Sequence, residues 1–94
     1  MKPRPVFRRE RASRDLLDAA TRYLDDGGEA LALRFVAAVE ATIKQLAARP
    51  GSGSPRYAAL IRRPGLRFRQ PRRFPYLIFY VERPEHIDVL RVLH

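Results

Sequence analysis

The fold is decided by residues 13–48, which are SRDLLDAATRYLDDGGEALALRFVAAVEATIKQLAA. In the first half of this stretch, apolar side chains recur at helical spacing, and Ser13 is a residue type favoured at a helix N-cap. In the second half the same spacing holds from Ala32 to Leu46. The two glycines between the halves favour a turn, because glycine adopts the positive φ at which helices end. The stretch therefore predicts an antiparallel helical hairpin, with Ser13 capping the first helix and the second running from Glu29 to Ala48.

Outside the hairpin, the hydrophobic period changes from that of helices to that of strands. Four short segments have strand character, and a Gly/Ser/Pro loop at 50–55 ends the second helix; the segments are 5–9, 66–69, 76–81 and 86–93. The order strand, helix, helix, strand, strand, strand predicts an α+β fold. We expect an N-terminal strand and an antiparallel helical hairpin packed on a small antiparallel sheet of three to four strands. With 94 residues, the chain has the length of one domain, 1–94.

Several classes of chemistry are excluded by composition. There is no cysteine, so disulfide scaffolds, zinc knuckles and cysteine nucleophiles are absent. Six acids lie on the predicted helices or their ends without a histidine at metal-binding spacing, so we expect them on a solvated surface. They are Asp15, Asp18, Asp25, Asp26, Glu29 and Glu40. Phosphate-binding glycine loops and the GxSxG and HExxH motifs are also absent. We therefore expect no metal and no cofactor.

Hydropathy indicates where the protein resides. No apolar run reaches the ~18 residues of a membrane span, and the N-terminus lacks the apolar stretch of a signal peptide. The sequence predicts a cytoplasmic protein without a membrane partner.

Positive charge is concentrated in the second half of the chain. The formal net charge is +9, and residues 49–94 carry ten basic and three acidic side chains. From Arg49 to Arg73 there are eight arginines and no acid. The guanidinium fork suits carboxylate and phosphate equally, so the pattern indicates either a nucleic acid or an acidic protein segment as partner. A basic surface that only meets solvent is the third interpretation.

The candidate functional residues follow from a mixture of arginines and aromatic side chains in the predicted strands. Such a set can hold phosphates, stack bases or perform acid–base chemistry, although it is also ordinary sheet composition. In the same strands, Ile78 and Phe79 are predicted to be core residues, and Tyr80 is predicted with equal weight to lie in the core or at the surface. The set comprises Arg67, Arg69, Arg72, Arg73 and Arg91 with Phe68, Phe74, Tyr76, Phe79, Tyr80 and His94.

Arg91 is unusual among these residues. By strand alternation it shares a face with Ile87, Val89 and Leu93, which are apolar. A cation on such a face needs a paired anion unless that end of the face is open. Two interpretations remain: a structural ion pair with Asp or Glu, or a functional surface.

The order of these pieces resembles the RelE/ParE superfamily of type II toxins, and within it the ParE (plasmid stabilisation) branch. The resemblance covers about residues 6–94 and is carried by order and spacing more than by any single motif. The matching pieces are Ala12 to Leu16, the Ala32-Phe35-Val39-Ile43-Leu46 stripe, Arg49 to Gly53, Gly65-Leu66-Arg67, Phe74 to Tyr80, and Leu90-Arg91-Val92-Leu93-His94.

The resemblance implies a toxin neutralised by a cognate antitoxin, whose acidic and largely unstructured tail folds on it within a hetero-oligomeric complex. ParE-like members inhibit DNA gyrase and so block replication, whereas RelE-like members cut mRNA on the ribosome. Nuclease members often carry a basic residue directly before the apolar triplet that ends in tyrosine, and here Leu77 occupies that position. The gyrase-binding interpretation, in which the protein is not an enzyme, is therefore preferred.

For gyrase binding we expect four residues at one end of the sheet, with two more arginines providing peripheral attraction. The alternative is a metal-independent endoribonuclease, with His94 or Tyr80 as acid or base and Arg67 and Arg91 stabilising the phosphorane charge. The four residues are Arg67, Tyr80, Arg91 and His94, and the peripheral pair is Arg72 and Arg73.

Overall fold

A helical hairpin covers one face of a four-stranded sheet in the computed structural model, which describes residues 2–94. The α+β architecture predicted from the sequence is confirmed. The elements are β1 (Val6–Arg8), α1 (Glu10–Gly27), α2 (Glu29–Ala48), a single 3-10 turn (Pro50–Ser52), β2 (Leu66–Arg69), β3 (Leu77–Glu82) and β4 (Ile87–Leu93).

The first helix begins one turn earlier than predicted. Its N-cap is Arg9, and Ser13 lies inside the first turn, where its backbone N–H donates to the Arg9 carbonyl at 3.0 Å. The prediction that Ser13 caps the helix is therefore wrong. The reason lies outside the helix: the Arg9 N–H donates to the Val89 carbonyl at 2.9 Å, so the chain leaves the sheet at Arg9 and turns directly into α1. Glu10 then supplies the acidic side chain that the positive end of the helix dipole favours.

The hairpin turn lies at the paired glycines, as predicted. Gly28 has φ +88°, and its N–H donates to the Leu24 carbonyl at 3.0 Å. The same residue precedes α2, so a single left-handed glycine ends one helix and starts the next. Such a backbone conformation is costly for residues with a Cβ, which explains why a glycine occupies this position.

The strand order is β1-β4-β3-β2. Strands β2, β3 and β4 are antiparallel neighbours, as predicted, whereas β1 pairs in parallel with β4. Neighbouring strands joined by short connections must be antiparallel, but β1 and β4 are separated by both helices and are free of that constraint. The sheet is therefore mixed.

The core lies between the hairpin and the near face of the sheet, which we define as the face towards the helices. An aromatic cluster marks one end: the Tyr23 ring lies 4.9 Å from Phe35 and 5.2 Å from Phe74, and Phe35 lies 5.2 Å from Tyr76. Ile78 is fully buried in this core, as predicted. The remaining core residues include Ala12, Ala19, Val39, Ile43, Leu46, Tyr80, Ile87, Val89 and Val92.

The opposite or far face of the sheet carries Leu66, Phe68, Phe79 and Val81. Phe79 is only half-buried there, in contact with Phe68 and Tyr57, so the prediction that Phe79 belongs to the core is wrong. Residues 55–65 form turns that cover part of this face, and the Tyr57 ring stacks on Phe68 at 5.3 Å. The far face is therefore less protected than the near face.

A β-bulge changes which residues of β4 face the core. Tyr80 pairs with Val89 and Phe79 with Arg91, so Leu90 is an extra residue on β4. Beyond the bulge the alternation shifts by one residue, and Val92 rather than Arg91 joins the core. The prediction that Arg91 shares the apolar face of Ile87 and Val89 is therefore wrong.

Candidate functional site

The Tyr80 side chain is fully buried and fastens the 3-10 turn to the sheet. Its hydroxyl donates to the Pro50 carbonyl at 2.6 Å and accepts from the Gly53 N–H at 2.9 Å. Burial raises the pKa of the Tyr80 phenol, and the Gly53 N–H and the nearby arginines only partly oppose that rise. A phenol that is buried, makes two hydrogen bonds to the protein and is harder to ionise is poorly suited to act as an acid or base at neutral pH.

Arg67 lies beside Tyr80 on the near face of the sheet, because the two residues are cross-strand partners. Its guanidinium donates to the Gly53 carbonyl at 2.7 Å and to the Gly51 carbonyl at 3.3 Å. Arg69, two residues on, donates to the Ser52 hydroxyl at 3.3 Å. These residues therefore hold the 50–53 loop against the sheet, and Arg67 and Tyr80 are brought together as the sequence suggested.

Arg91 is bound to Asp15 of α1. Its guanidinium donates to both carboxylate oxygens, at 2.7 and 3.0 Å, and the same carboxylate accepts from the Val92 N–H at 3.0 Å. Partial burial raises the pKa of the Asp15 carboxyl, but the bonds from Arg91 and Val92 outweigh it, and that pKa lies below its ordinary value. Asp15 thus forms an ion pair that joins α1 to β4, and the prediction that it belongs to a solvated surface is wrong.

A second paired carboxylate lies at the other end of β4. Asp88 is buried and accepts two bonds from the Arg9 guanidinium, at 2.8 and 2.7 Å, while Arg83 lies 3.6 Å away. The hydrogen bond from Arg9 lowers the pKa of the Asp88 carboxyl below its ordinary value, although burial opposes it. Two arginine–aspartate pairs therefore join the N-terminal segment and α1 to β4.

Because folding lowers the pKa of both the Asp15 and the Asp88 carboxyl, we expect the fold to be sensitive to acid. A carboxyl whose pKa is lowered by folding stabilises the protein above its unfolded pKa of about 4, and this stability is lost as the pH falls through the folded pKa. We expect the urea midpoint to be constant from about pH 7 to 5 and to fall below about pH 4. In Asp15→Asn the midpoint is lower at pH 7 and falls less steeply in acid. Asp18→Asn, an exposed site on the same helix, is the matched control; equal acid profiles for both variants would contradict the prediction.

His94 is exposed directly after β4, and its ring meets Tyr76 edge-on at 5.2 Å. Tyr76 precedes β3 whereas Tyr80 lies within it, so His94 contacts a different part of the sheet from Tyr80. Arg72 and Arg73 are exposed in the turn before β3, where Arg73 has φ +70°. The candidate residues are thus distributed along the sheet.

The acid-free arginine run forms no salt bridge within the part of the chain that the structure describes. Among residues 2–94, the five intramolecular salt bridges use arginines 4, 8, 9, 83 and 91. None of the eight arginines from Arg49 to Arg73 takes part in one. The positive charge of this segment is therefore left for solvent or for a partner.

Some of these free arginines meet at the side of α2. A cavity of about 560 Å³ is lined by Arg69 and Arg72 together with Gln45, Gln70 and small side chains of α2, and Arg49 lies in an adjoining cavity with Arg69. Sequence reasoning missed the contribution of α2, because Gln45 and the exposed alanines have no distinctive pattern. The surface offers hydrogen-bond donors and no acid.

Two further properties concern metals and membranes. Within residues 2–94, no cluster of three or more His, Asp or Glu side chains is arranged to hold a metal ion. No helix in that part of the chain combines the length and apolar character needed to cross a membrane.

Comparison with known proteins places the chain in a family. A family model described as ParE toxin of type II toxin-antitoxin system, parDE, matches residues 6–94. A solved structure described as a chromosomal ParDE TA system from P. aeruginosa superposes with a TM-score of 0.81 at 24% identity, over 97% of this chain and 95% of that chain, which shows a shared fold. No curated protein matches the chain closely enough to count as a relative. Since the family model spans nearly the whole sequence, the chain belongs to the ParE toxin family of type II toxin–antitoxin systems.

Proposed function

We propose that this protein is a cytoplasmic toxin that inhibits DNA gyrase, and so replication and growth, and that a cognate antitoxin neutralises it by folding an acidic tail on its surface. Family membership supports the toxin class. The observation that carries the mode of action is the arginine run from Arg49 to Arg73, which forms no salt bridge among the described residues 2–94. A surface of unpaired guanidinium groups favours binding to a polyanionic or carboxylate-rich macromolecule.

The side-chain geometry supports a binding protein over a nuclease. A metal-independent nuclease needs an acid and a base that reach the substrate and cations that are free to stabilise the transition state. Here the Tyr80 hydroxyl is enclosed, Arg67 is bonded to loop carbonyls and Arg91 is paired with Asp15. His94, the fourth candidate residue, is the one that is exposed. In this proposal Arg67, Tyr80 and Arg91 maintain the surface, while Arg72, Arg73 and His94 are available to contact the target.

The direct test is a supercoiling assay with purified gyrase, relaxed plasmid and added toxin. Inhibition of supercoiling with accumulation of cleaved DNA supports the proposal. Intact supercoiling, together with cutting of ribosome-bound mRNA by the same preparation, would establish the RelE-like endoribonuclease alternative instead. Co-expression with a cognate antitoxin tests neutralisation separately, by restored growth.

Charge reversal in the turn before β3 tests where the target binds. We expect Arg72→Glu/Arg73→Glu to raise the toxin concentration needed for half-maximal inhibition by about tenfold, because a rim charge contributes to encounter and orientation. Folding should be unaffected, because both side chains are exposed. The positive φ at position 73 strains a glutamate no more than it strains the arginine.

The matched control for this variant is Arg34→Glu/Lys44→Glu on the exposed side of α2, which changes the net charge equally. If both double variants lose inhibition to the same extent, the effect is one of overall charge, and a target contact at the turn is excluded.

A further inference from the structure

A groove of about 530 Å³ lies between the start of α1, the 55–65 segment and the far face of the sheet. It has a different character from the polar cavity beside α2, because it combines an apolar floor with a basic rim. We call it the far-face groove. Its lining comprises Arg9, Glu10, Arg11, Ile61, Arg63, Leu66, Leu90 and Arg91.

The floor of the far-face groove is aliphatic. Leu66 is only 4% exposed and forms its base, Leu90 is the half-buried extra residue of the β-bulge, and Ile61 is 58% exposed at the edge. Covering large apolar side chains removes apolar surface from water, which favours a complex. The floor therefore fits apolar side chains of a partner better than it fits water.

The rim of the groove has two kinds of arginine. Arg9 and Arg91 are neutralised by Asp88 and Asp15, whereas Arg11 and Arg63 are exposed and form no salt bridge within residues 2–94. A smaller adjoining cavity of about 330 Å³, which shares Glu10, Arg11 and Arg91 with the groove, adds Arg14 and also Asp15, whose carboxylate is already paired with Arg91. Glu10 is the single acid of the lining. The unpaired charge around the apolar floor is thus positive.

We propose that the far-face groove holds an acidic, amphipathic segment of the antitoxin, with its apolar side chains on the floor and its carboxylates on Arg11 and Arg63. The proposal rests on the proposed function and adds the place of neutralisation. A nucleic acid fits less well, because the lining has no aromatic side chain on which a base could stack. A second copy of this chain is disfavoured by its own charge of +9.

The floor is tested with two fluorescein-labelled peptides bound to the full-length toxin. One peptide consists of glutamates with leucines at every third or fourth position, and the other has serines in place of the leucines. We expect the leucine peptide to bind at least about tenfold more tightly at equal charge. Ile61→Ser should reduce this preference. Equal binding of the two peptides, or displacement of the leucine peptide by single-stranded DNA of equal charge, would overturn the proposal.

The rim is tested with Arg63→Glu, and Arg34→Glu is the matched control for a change of charge outside the groove. Arg63→Glu should weaken binding of the leucine peptide by about tenfold and Arg34→Glu by less than about twofold, with unchanged melting curves for both. Equal losses would mean that only net charge matters and would overturn the groove as the site.

A second rim variant separates this proposal from the proposed function. Arg11→Glu lies on the same rim but outside the run from Arg49 to Arg73. It should inhibit gyrase like the wild type but escape neutralisation in cells that express the antitoxin. If Arg11→Glu is neutralised normally, the groove proposal fails while the gyrase proposal stands. If the wild type leaves gyrase untouched, the gyrase proposal fails whatever the peptides show.

Discussion

Replacing Gly53 by alanine is expected to lower the free energy of unfolding by about 3 kcal/mol, as overpacking of a rigid site does. A Cβ on Gly53 would lie 2.8 Å from Cε1 and 2.9 Å from Cζ of Tyr80 and would clash with its hydroxyl. The ring cannot retreat, because it is fully buried, and the Gly53 N–H would lose its bond to the hydroxyl as the loop moves. Urea unfolding followed by circular dichroism measures the change.

Gly51→Ala is the matched control for this prediction, because a Cβ there meets no atom within 4 Å. Its free energy of unfolding should stay within about 0.5 kcal/mol of the wild-type value, as is usual for surface substitutions. The double variant Gly53→Ala/Tyr80→Phe should be less destabilised than the two single variants added together, since removing the hydroxyl removes part of the clash. Equal stability of the Gly51 and Gly53 variants would contradict the close packing of the loop on Tyr80.

The helical hairpin could be predicted because its determinants are local. The apolar spacing from Ala32 to Leu46 fixes the buried side of α2, and the paired glycines fix the turn without help from distant residues. The start of α1 could not be predicted in the same way. It is set by the bond from Arg9 to Val89, which lies 80 residues away in the chain. A favourable local cap such as Ser13 is then overridden by tertiary structure.

The environment of Arg91 could not be predicted, because it depends on a β-bulge that has no recognisable pattern in the sequence. Strand alternation assumes a regular strand, and the bulge at Leu90 moves every later residue of β4 to the other side. The need for a paired anion was nevertheless correct, because a guanidinium close to the core must be compensated. Its partner Asp15 could not be identified among the acids of α1, since the choice depends on how α1 is placed over β4.

The sequence offered candidate site residues but did not show how the fold uses their side chains. Arg67 and Tyr80 are neighbours across two strands, but the 50–53 loop lies over them and occupies their hydrogen-bonding groups. Nothing in the sequence near Pro50 shows that the loop returns to the sheet. The arginines that remain available are those in turns and at groove edges, where no backbone carbonyl or acid satisfies them.

The placement of the arginines also suggests how the chain tolerates its charge. Arg9 is paired with Asp88 and Arg91 with Asp15, and these two pairs join the N-terminal segment and α1 to β4. The arginines of the middle segment are left unpaired, and this raises the self-repulsion of the free protein. A partner that supplies carboxylates would relieve that repulsion, so the free toxin is expected to be less stable than its complex.

Replacing Tyr80 by phenylalanine is expected to lower the free energy of unfolding by about 2 kcal/mol, because the buried Gly53 N–H and the Pro50 carbonyl lose their partner. For a domain of this length, that corresponds to a fall in Tm of about 10 °C. The measurement is a thermal melt, in which the matched core variant Val89→Ala reports the loss of buried apolar contacts without an orphaned hydrogen bond.

The activity of the same variant discriminates between the two toxin mechanisms. Since the hydroxyl is enclosed and bonded to the protein, Tyr80→Phe should inhibit gyrase within about twofold of the wild type per folded molecule, at a temperature below both melting transitions. A nuclease that used Tyr80 as its acid or base would instead lose about 100-fold or more in the rate of mRNA cleavage, with binding preserved. Loss of gyrase inhibition by fully folded Tyr80→Phe would contradict this expectation. It would show that the hydroxyl becomes accessible when the target binds and that Tyr80 contacts the target.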